Sequence, residues 1–211
     1  MKTRNKALLL TLCAVLLVTA SVLGTMAYLT SQDQVVNTFT VGSVAITLDE
    51  TDTDNSTPGE NDRDQANSYK LMPGHTYTKD PIVHVASTSE DCYLFVKVVN
   101  EIATIEGEQT VAAQMDAKGW VAVEGATGVY VYTQDDALAV VAGGRDVTVF
   151  DNFTINGAVK GGTKPADYTG NELFLGDYDN KTITVTAYAI QADGFADKTA
   201  SEIWTAAGFN S

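Results

Sequence analysis

Cysteine is scarce in this chain of 211 residues, which holds only Cys13 and Cys92. Cys13 lies in an apolar N-terminal run, so once that run is removed Cys92 stands alone and no internal disulfide can staple the rest. Stability then has to come from a buried core, which the remaining 184 residues are long enough to build. A lipid-attachment reading of Cys13 fails, because bulky Leu12 precedes it and the apolar run continues past it. Basic residues are also few, 13 against 27 acidic ones. All 27 acids but only 10 of the bases follow residue 27, giving that part a net charge of about −17. Nucleic acid and anionic lipid both need a cationic footprint, so neither is expected as a partner. Divalent cations remain as weak counter-ions, and no cofactor is implied.

Histidine is nearly as rare. His75 falls in a turn and His84 in a strand, and no H-E-x-x-H joins a histidine pair to a glutamate base. His75 and His84 are the only histidines that could serve a zinc site, and a carboxylate would have to complete it. No G-x-S-x-G elbow and no phosphate-cradling glycine loop occurs. Cys92 could pair with His84 if their strands are neighbours, but a lone cysteine on an apolar strand is usually a buried, inert hydrophobe. No residue is assigned a catalytic role.

What is present begins with Lys2, Arg4 and Lys6, then an uncharged apolar run from Ala7 to Gly24. Small residues at Thr25 and Ala27 mark a signal-peptidase cut between Ala27 and Tyr28. Residues 1–27 are therefore expected to be a signal peptide and residues 28–211 a single secreted domain, with no membrane association after cleavage. The competing reading is an uncleaved anchor, since the run approaches the roughly 17–25 residues that span a bilayer.

The sequence from Gly24, Gly-Thr-Met-Ala-Tyr-Leu-Thr-Ser-Gln-Asp, and then Asn37 to Leu48, Asn-Thr-Phe-Thr-Val-Gly-Ser-Val-Ala-Ile-Thr-Leu, resembles the N-terminus of the TasA/camelysin family. Those are exported proteins of Gram-positive bacteria, processed by a dedicated signal peptidase, and they include biofilm matrix fibre subunits. The likeness is specific over Thr25–Leu48 and looser over Leu71–Val98. It implies a jelly-roll domain at the cell surface or in the extracellular matrix. Its partners would be further copies of itself or other matrix proteins, with the mature N-terminal strand completing the next subunit's sheet. Such strand addition takes affinity from backbone hydrogen bonds and register from alternate side chains. The donor would be Tyr28–Asn37, inserting Leu29, Val35 and Val36. Camelysin-like relatives are classed as metallopeptidases, which gives a second implied function. A monomeric surface adhesin or anchor using an exposed Tyr130/Tyr132 face is a third. Where the family has an Asn-x-Gly turn before the central strand, this chain has Ser87-Thr-Ser-Glu-Asp.

Periodicity predicts an all-β fold, a jelly-roll-like antiparallel sandwich with one or two short helices. Phe39 and Val41 are apolar at odd positions and Val44, Ile46 and Leu48 at even ones, so a bulge is expected at Gly42–Ser43. Residues 49–68 lack any large apolar side chain and read as a flexible acidic loop; its Asp52, Asp54 and Ser56 lack the turn glycine of a calcium loop. Cys92–Val99 is apolar on both faces, as a central strand would be. Further strands are expected at Ile82–Ala86, Trp120–Val123, Val129–Tyr132, Ala137–Val141, Val147–Val149 and Lys181–Ile190, with a turn at Pro73–Gly74. The spacing predicts a helix over Thr110–Lys118. A C-terminal amphipathic helix should start at a Thr199/Glu202 capping box, bury Trp204 and stop at Gly208.

Overall fold

The computed structural model describes residues 3–29, 42–56 and 62–209. It divides into two units, Met1–Val41 and Gly42–Ser211. The described residues of the first form one helix, α1 (Thr3–Leu29). Over its middle, Leu8, Leu9, Leu10, Leu12, Val15, Leu16, Leu17 and Val18 are all exposed, so this stretch offers no polar face to water. Among the described residues, no helix is long and apolar enough to cross a membrane. The backbone stays helical over Ala27, Tyr28 and Leu29. Val35 and Val36 lie outside the described residues, as do Phe39 and Val41.

The second unit is mainly β. In chain order it runs β1 (Ile46–Thr51), β2 (Arg63–Asp64), β3 (Thr76–Thr78), β4 (Ile82–Val85), β5 (Cys92–Asn100), α2 (Val111–Ala117), β6 (Trp120–Ala122), β7 (Val129–Gln134), β8 (Ala137–Leu138), β9 (Asp146–Thr148), β10 (Asn152–Thr154), β11 (Ile183–Gln191) and α3 (Ala200–Ala206). One sheet has the order β2-β1-β4-β9, another β11-β5-β7-β6 with β8 joined to β7, and β10 pairs with β3. All these pairings are antiparallel.

β5 is central because both of its faces are apolar. Leu94, Val96 and Val98 enter a large core with Val83 and Val85 of β4, Val147 of β9 and Phe153 of β10. Tyr93 and Phe95 enter a smaller core under α3 with Val129, Val131, Ile203 and Trp204. Full burial of such side chains stabilises by about 1.5–3 kcal/mol each, which makes this strand a major source of stability. Cys92 is buried at its start, and burial together with the nearby Asp91 charge pushes the thiol up to about 11. It is held as a packing group and not as a thiolate nucleophile.

The helices follow their sequence signals. Thr110 caps α2 by accepting from the Ala113 amide at 3.2 Å, and Val111 and Met115 are buried. Gly119 ends it at φ +87°, where a Cβ would lie 2.5 Å from the Thr133 carbonyl. α3 carries the full capping box between Thr199 and Glu202. Trp204 packs against Phe95 at 5.6 Å and Tyr188 at 5.1 Å. Asp135 and Asp136 take φ values of 50° and 61° in the two-residue turn between β7 and β8, the left-handed pair that a type I′ hairpin requires.

Three expectations change. Residues 42–45 are not in a strand, and β1 starts only at Ile46, so no bulge at Gly42–Ser43 is present. The acidic stretch is not a free loop throughout: Asp49–Thr51 belong to β1, Arg63–Asp64 form β2, and Glu50 is buried. The carboxylates there find cations in Arg63 and Lys79, which offset the missing apolar contacts. Finally, Tyr130 and Tyr132 are half-buried against the large core, so they offer no exposed aromatic face.

Candidate functional site

Register with β4 sets the two sides of β1: Ile46 and Leu48 lie opposite buried Val85 and Val83, with Glu50 buried on the same side, while Thr47 lies opposite His84 and Asp49 reaches the His84 ring. The inner set faces β11, where Ile183, Val185 and Ala187 repeat the same alternation. Between the two strands lies a groove of about 1480 Å³. Its apolar lining includes Ile46, Leu48, Ile102, Leu175, Ile183 and Val185, with Tyr69 and Phe153 in edge-to-face contact at 5.2 Å.

Both walls are strand edges. β11 pairs with β5 on one side, and among the described residues with no strand on the other. β1 pairs with β4 along Ile46–Asp49, while β2 joins its other side only at Glu50 and Thr51. One end of the groove is polar. Glu50, 4% exposed, takes the Lys79 ammonium at 2.6 Å and the Asn67 amide nitrogen at 3.0 Å. Asn67 also donates to the Thr51 carbonyl at 2.9 Å and accepts from the Thr53 amide at 2.6 Å. That one side chain fastens the 62–68 segment over the end of β1.

The outer face of the same sheet carries a charged cluster. His84 Nδ1 lies 2.7 Å from the Asp146 carboxylate and Nε2 lies 3.0 Å from that of Asp49. Burial works against charge on His84, but the two carboxylates outweigh it and hold its pKa above the ordinary histidine value. Burial likewise opposes the charge of Asp49, and hydrogen bonds from Arg63 and His84 win and hold it below the usual range. Arg63 also donates to the Asp49 and Asp80 carbonyls at 3.1 and 3.2 Å, stitching β2 to β1 and to the approach to β4.

The two histidines proposed for zinc are used differently. His84 has a carboxylate on each nitrogen, whereas exposed His75 packs on Tyr77 at 5.0 Å in front of β3. Among the described residues, no group of three or more His, Cys, Asp or Glu is placed to hold a metal ion. Ala27 and Tyr28 fall on the helical backbone of α1, as does Leu29. The groove itself, and the roles of Glu50, Asn67, Lys79 and Arg63, were not anticipated. Arg63 offered one clue, as the single cation between positions 49 and 68. No family model, curated protein or solved structure matches the chain.

Proposed function

We propose that the chain is an exported structural protein of the cell surface or extracellular matrix that assembles by accepting an extended strand into the groove between β1 and β11. The two larger antiparallel sheets are then the halves of an open jelly-roll-like sandwich, and the added strand closes its seam. The observation that carries the reading is that, among the described residues, one side of β11 and one side of the Ile46–Asp49 stretch of β1 have no strand partner and flank a groove lined by both apolar and polar side chains. Backbone groups on each edge supply hydrogen bonds to a guest, and Ile46, Leu48, Ile183 and Val185 supply sockets for its alternate side chains.

The donor in this reading is the segment after the leader, Tyr28–Asn37, released by cleavage after Ala27. The acceptor in this reading is a second copy. Ser43 and Ala45 are tied to the turn beyond β4, through Glu90 N to Ser43 O at 3.1 Å and Ala86 N to Ala45 O at 2.9 Å, which fixes the start of β1. The resemblance to the TasA/camelysin family supports the same reading.

Electron microscopy of the processed protein, with N-terminal sequencing of the same sample, tests this. Filaments beginning at Tyr28 are expected, with soluble monomers when Tyr28–Asn37 is deleted. Unchanged filaments from the deletion variant refute strand donation.

A further inference from the structure

His84 bridges three neighbouring strands. It sits on β4, with Asp49 of β1 at one ring nitrogen and Asp146 of β9 at the other. In register it lies opposite Thr47 and Asp146, so the Asp146 contact runs straight across to β9 and the Asp49 contact runs diagonally to β1. Against two ionised carboxylates, which only accept hydrogen bonds, the imidazolium is the one form of the ring that can donate to both at once. The charged groups facing the cluster are Asp49, Asp146, Asp80 and Arg63. Loss of the proton leaves Arg63 as the one cation among three carboxylates in this described cluster. Asp49 also sits between Leu48 and Glu50, two residues that line the groove.

We propose that the His84 imidazolium is a proton-operated latch that holds the β1 wall of the groove in position for an incoming strand. The proposal rests on the strand-acceptor reading above and adds its regulation. Protonated, the ring ties β1 and β9 to β4; deprotonated, it can donate to one carboxylate at most, and the other is left facing its neighbours. Strand acceptance is then favoured below the His84 titration and weakened above it. The general fall in protein charge on acidification acts in the same direction, so the latch has to be separated from it by substitution.

The experiment measures amide exchange protection of β1 in the full chain at pH 6 and pH 9, corrected for intrinsic exchange, in wild type, His84→Gln and His84→Arg. Filament yield is measured in parallel on protein cleaved after Ala27, because the proposed donor is released only then. Wild-type protection is expected to fall between the two pH values, by up to tenfold for each pH unit that His84 titrates above a free histidine. His84→Arg, charged throughout, keeps high protection at both. His84→Gln, neutral throughout, shows the lower value at both. A wild-type fall that persists unchanged in His84→Gln overturns the latch, and so does an absence of any fall in wild type. If His84→Gln does not fold, the wild-type imidazole titration followed by NMR decides, and a midpoint at or below that of free histidine overturns it. Failure of wild type to form filaments at either pH sinks the strand-acceptor reading alone, because the exchange data judge the latch without filaments.

Discussion

Lys79→Met is the sharpest probe of how the groove end is built. Glu50 is 4% exposed and the Lys79 side chain 11% exposed, with 2.6 Å between their charged atoms. Removing one partner of a buried pair leaves a charge without compensation and typically costs about 3–5 kcal/mol. Here Asn67 continues to donate to Glu50 at 3.0 Å, and a hydrogen bond to a charged group contributes roughly 1.5–3 kcal/mol. The expected loss therefore sits at the low end, about 3 kcal/mol. With a urea m-value of about 2 kcal/mol/M, the midpoint should fall by about 1.5 M. Trp120 and Trp204 are buried in different cores and report the transition from both; coincident curves justify a two-state treatment. The double variant Glu50→Leu/Lys79→Met should recover to within about 1 kcal/mol of wild type, because an apolar pair avoids the desolvation that the ions suffer. A single-variant loss below about 1 kcal/mol would mean that the pair behaves as a solvated surface bridge. A double variant no better than the single would show that the pair itself, and not the stranded charge, provides the stability.

Val185→Lys places a charge inside the groove without touching the donor segment, and is expected to abolish filaments while the monomer keeps its far-UV circular dichroism; normal filaments would move the acceptor site elsewhere. Gly119→Ala should cost more than about 2 kcal/mol in urea unfolding, since the residue has φ +87° and a Cβ would meet the Thr133 carbonyl at 2.5 Å. The Glu106 carboxyl is raised by burial, against hydrogen bonds from Asn100 and the Val111 amide. Its contribution to stability is therefore full below the ordinary glutamate value of 4.5 and is lost as pH rises through the higher folded value. Glu106→Gln should remove that part of the pH dependence, measured as the difference in unfolding free energy between pH 4 and pH 7. Asp135→Asn with Asp136→Gly fits the left-handed hairpin turn at φ 50° and 61° and should gain about 0.5–1 kcal/mol in thermal or urea unfolding.

Local signals were the legible part of this chain. The α3 capping box, the Gly119 stop and the two-faced apolar β5 each follow from residues within a few positions of one another. β1 shows the limit. Its apolar alternation was visible, but Asp49, Glu50 and Thr51 read as loop because their support comes from Arg63, Asn67 and Lys79, up to 29 positions away. An acidic run looks disordered when its counter-charges are not counted with it. Tyr130 and Tyr132 failed for the opposite reason. Alternation shows that Val129 and Val131 share a face, but not that the other face of β7 is covered as well. The groove was beyond reach because it depends on which strands end a sheet, and no periodicity encodes sheet order.

Sheet order also explains why the groove edges read as functional. An unpaired strand edge invites unwanted pairing, and proteins blunt it with short strands, lysine, proline or bulges. The edges away from the groove follow that rule, since β2 has two residues and β6 and β9 have three each. β11 departs from it, running nine residues, Ile-Thr-Val-Thr-Ala-Tyr-Ala-Ile-Gln, with no charge and no proline. β1 lacks lysine and proline but carries Asp49 and the inward-pointing Glu50. Among the described residues β11 is thus the long, uncharged edge without a second strand partner, and it is the edge that the proposed strand addition would use. In the proposed assembly the excess of acidic residues would limit non-specific pairing by mutual repulsion, and a guest would need enough apolar side chains to outweigh it. A Lys or Pro introduced on either groove edge should therefore suppress assembly far more than the same residue on β6 or β9, and equal suppression at all four strands would break the argument.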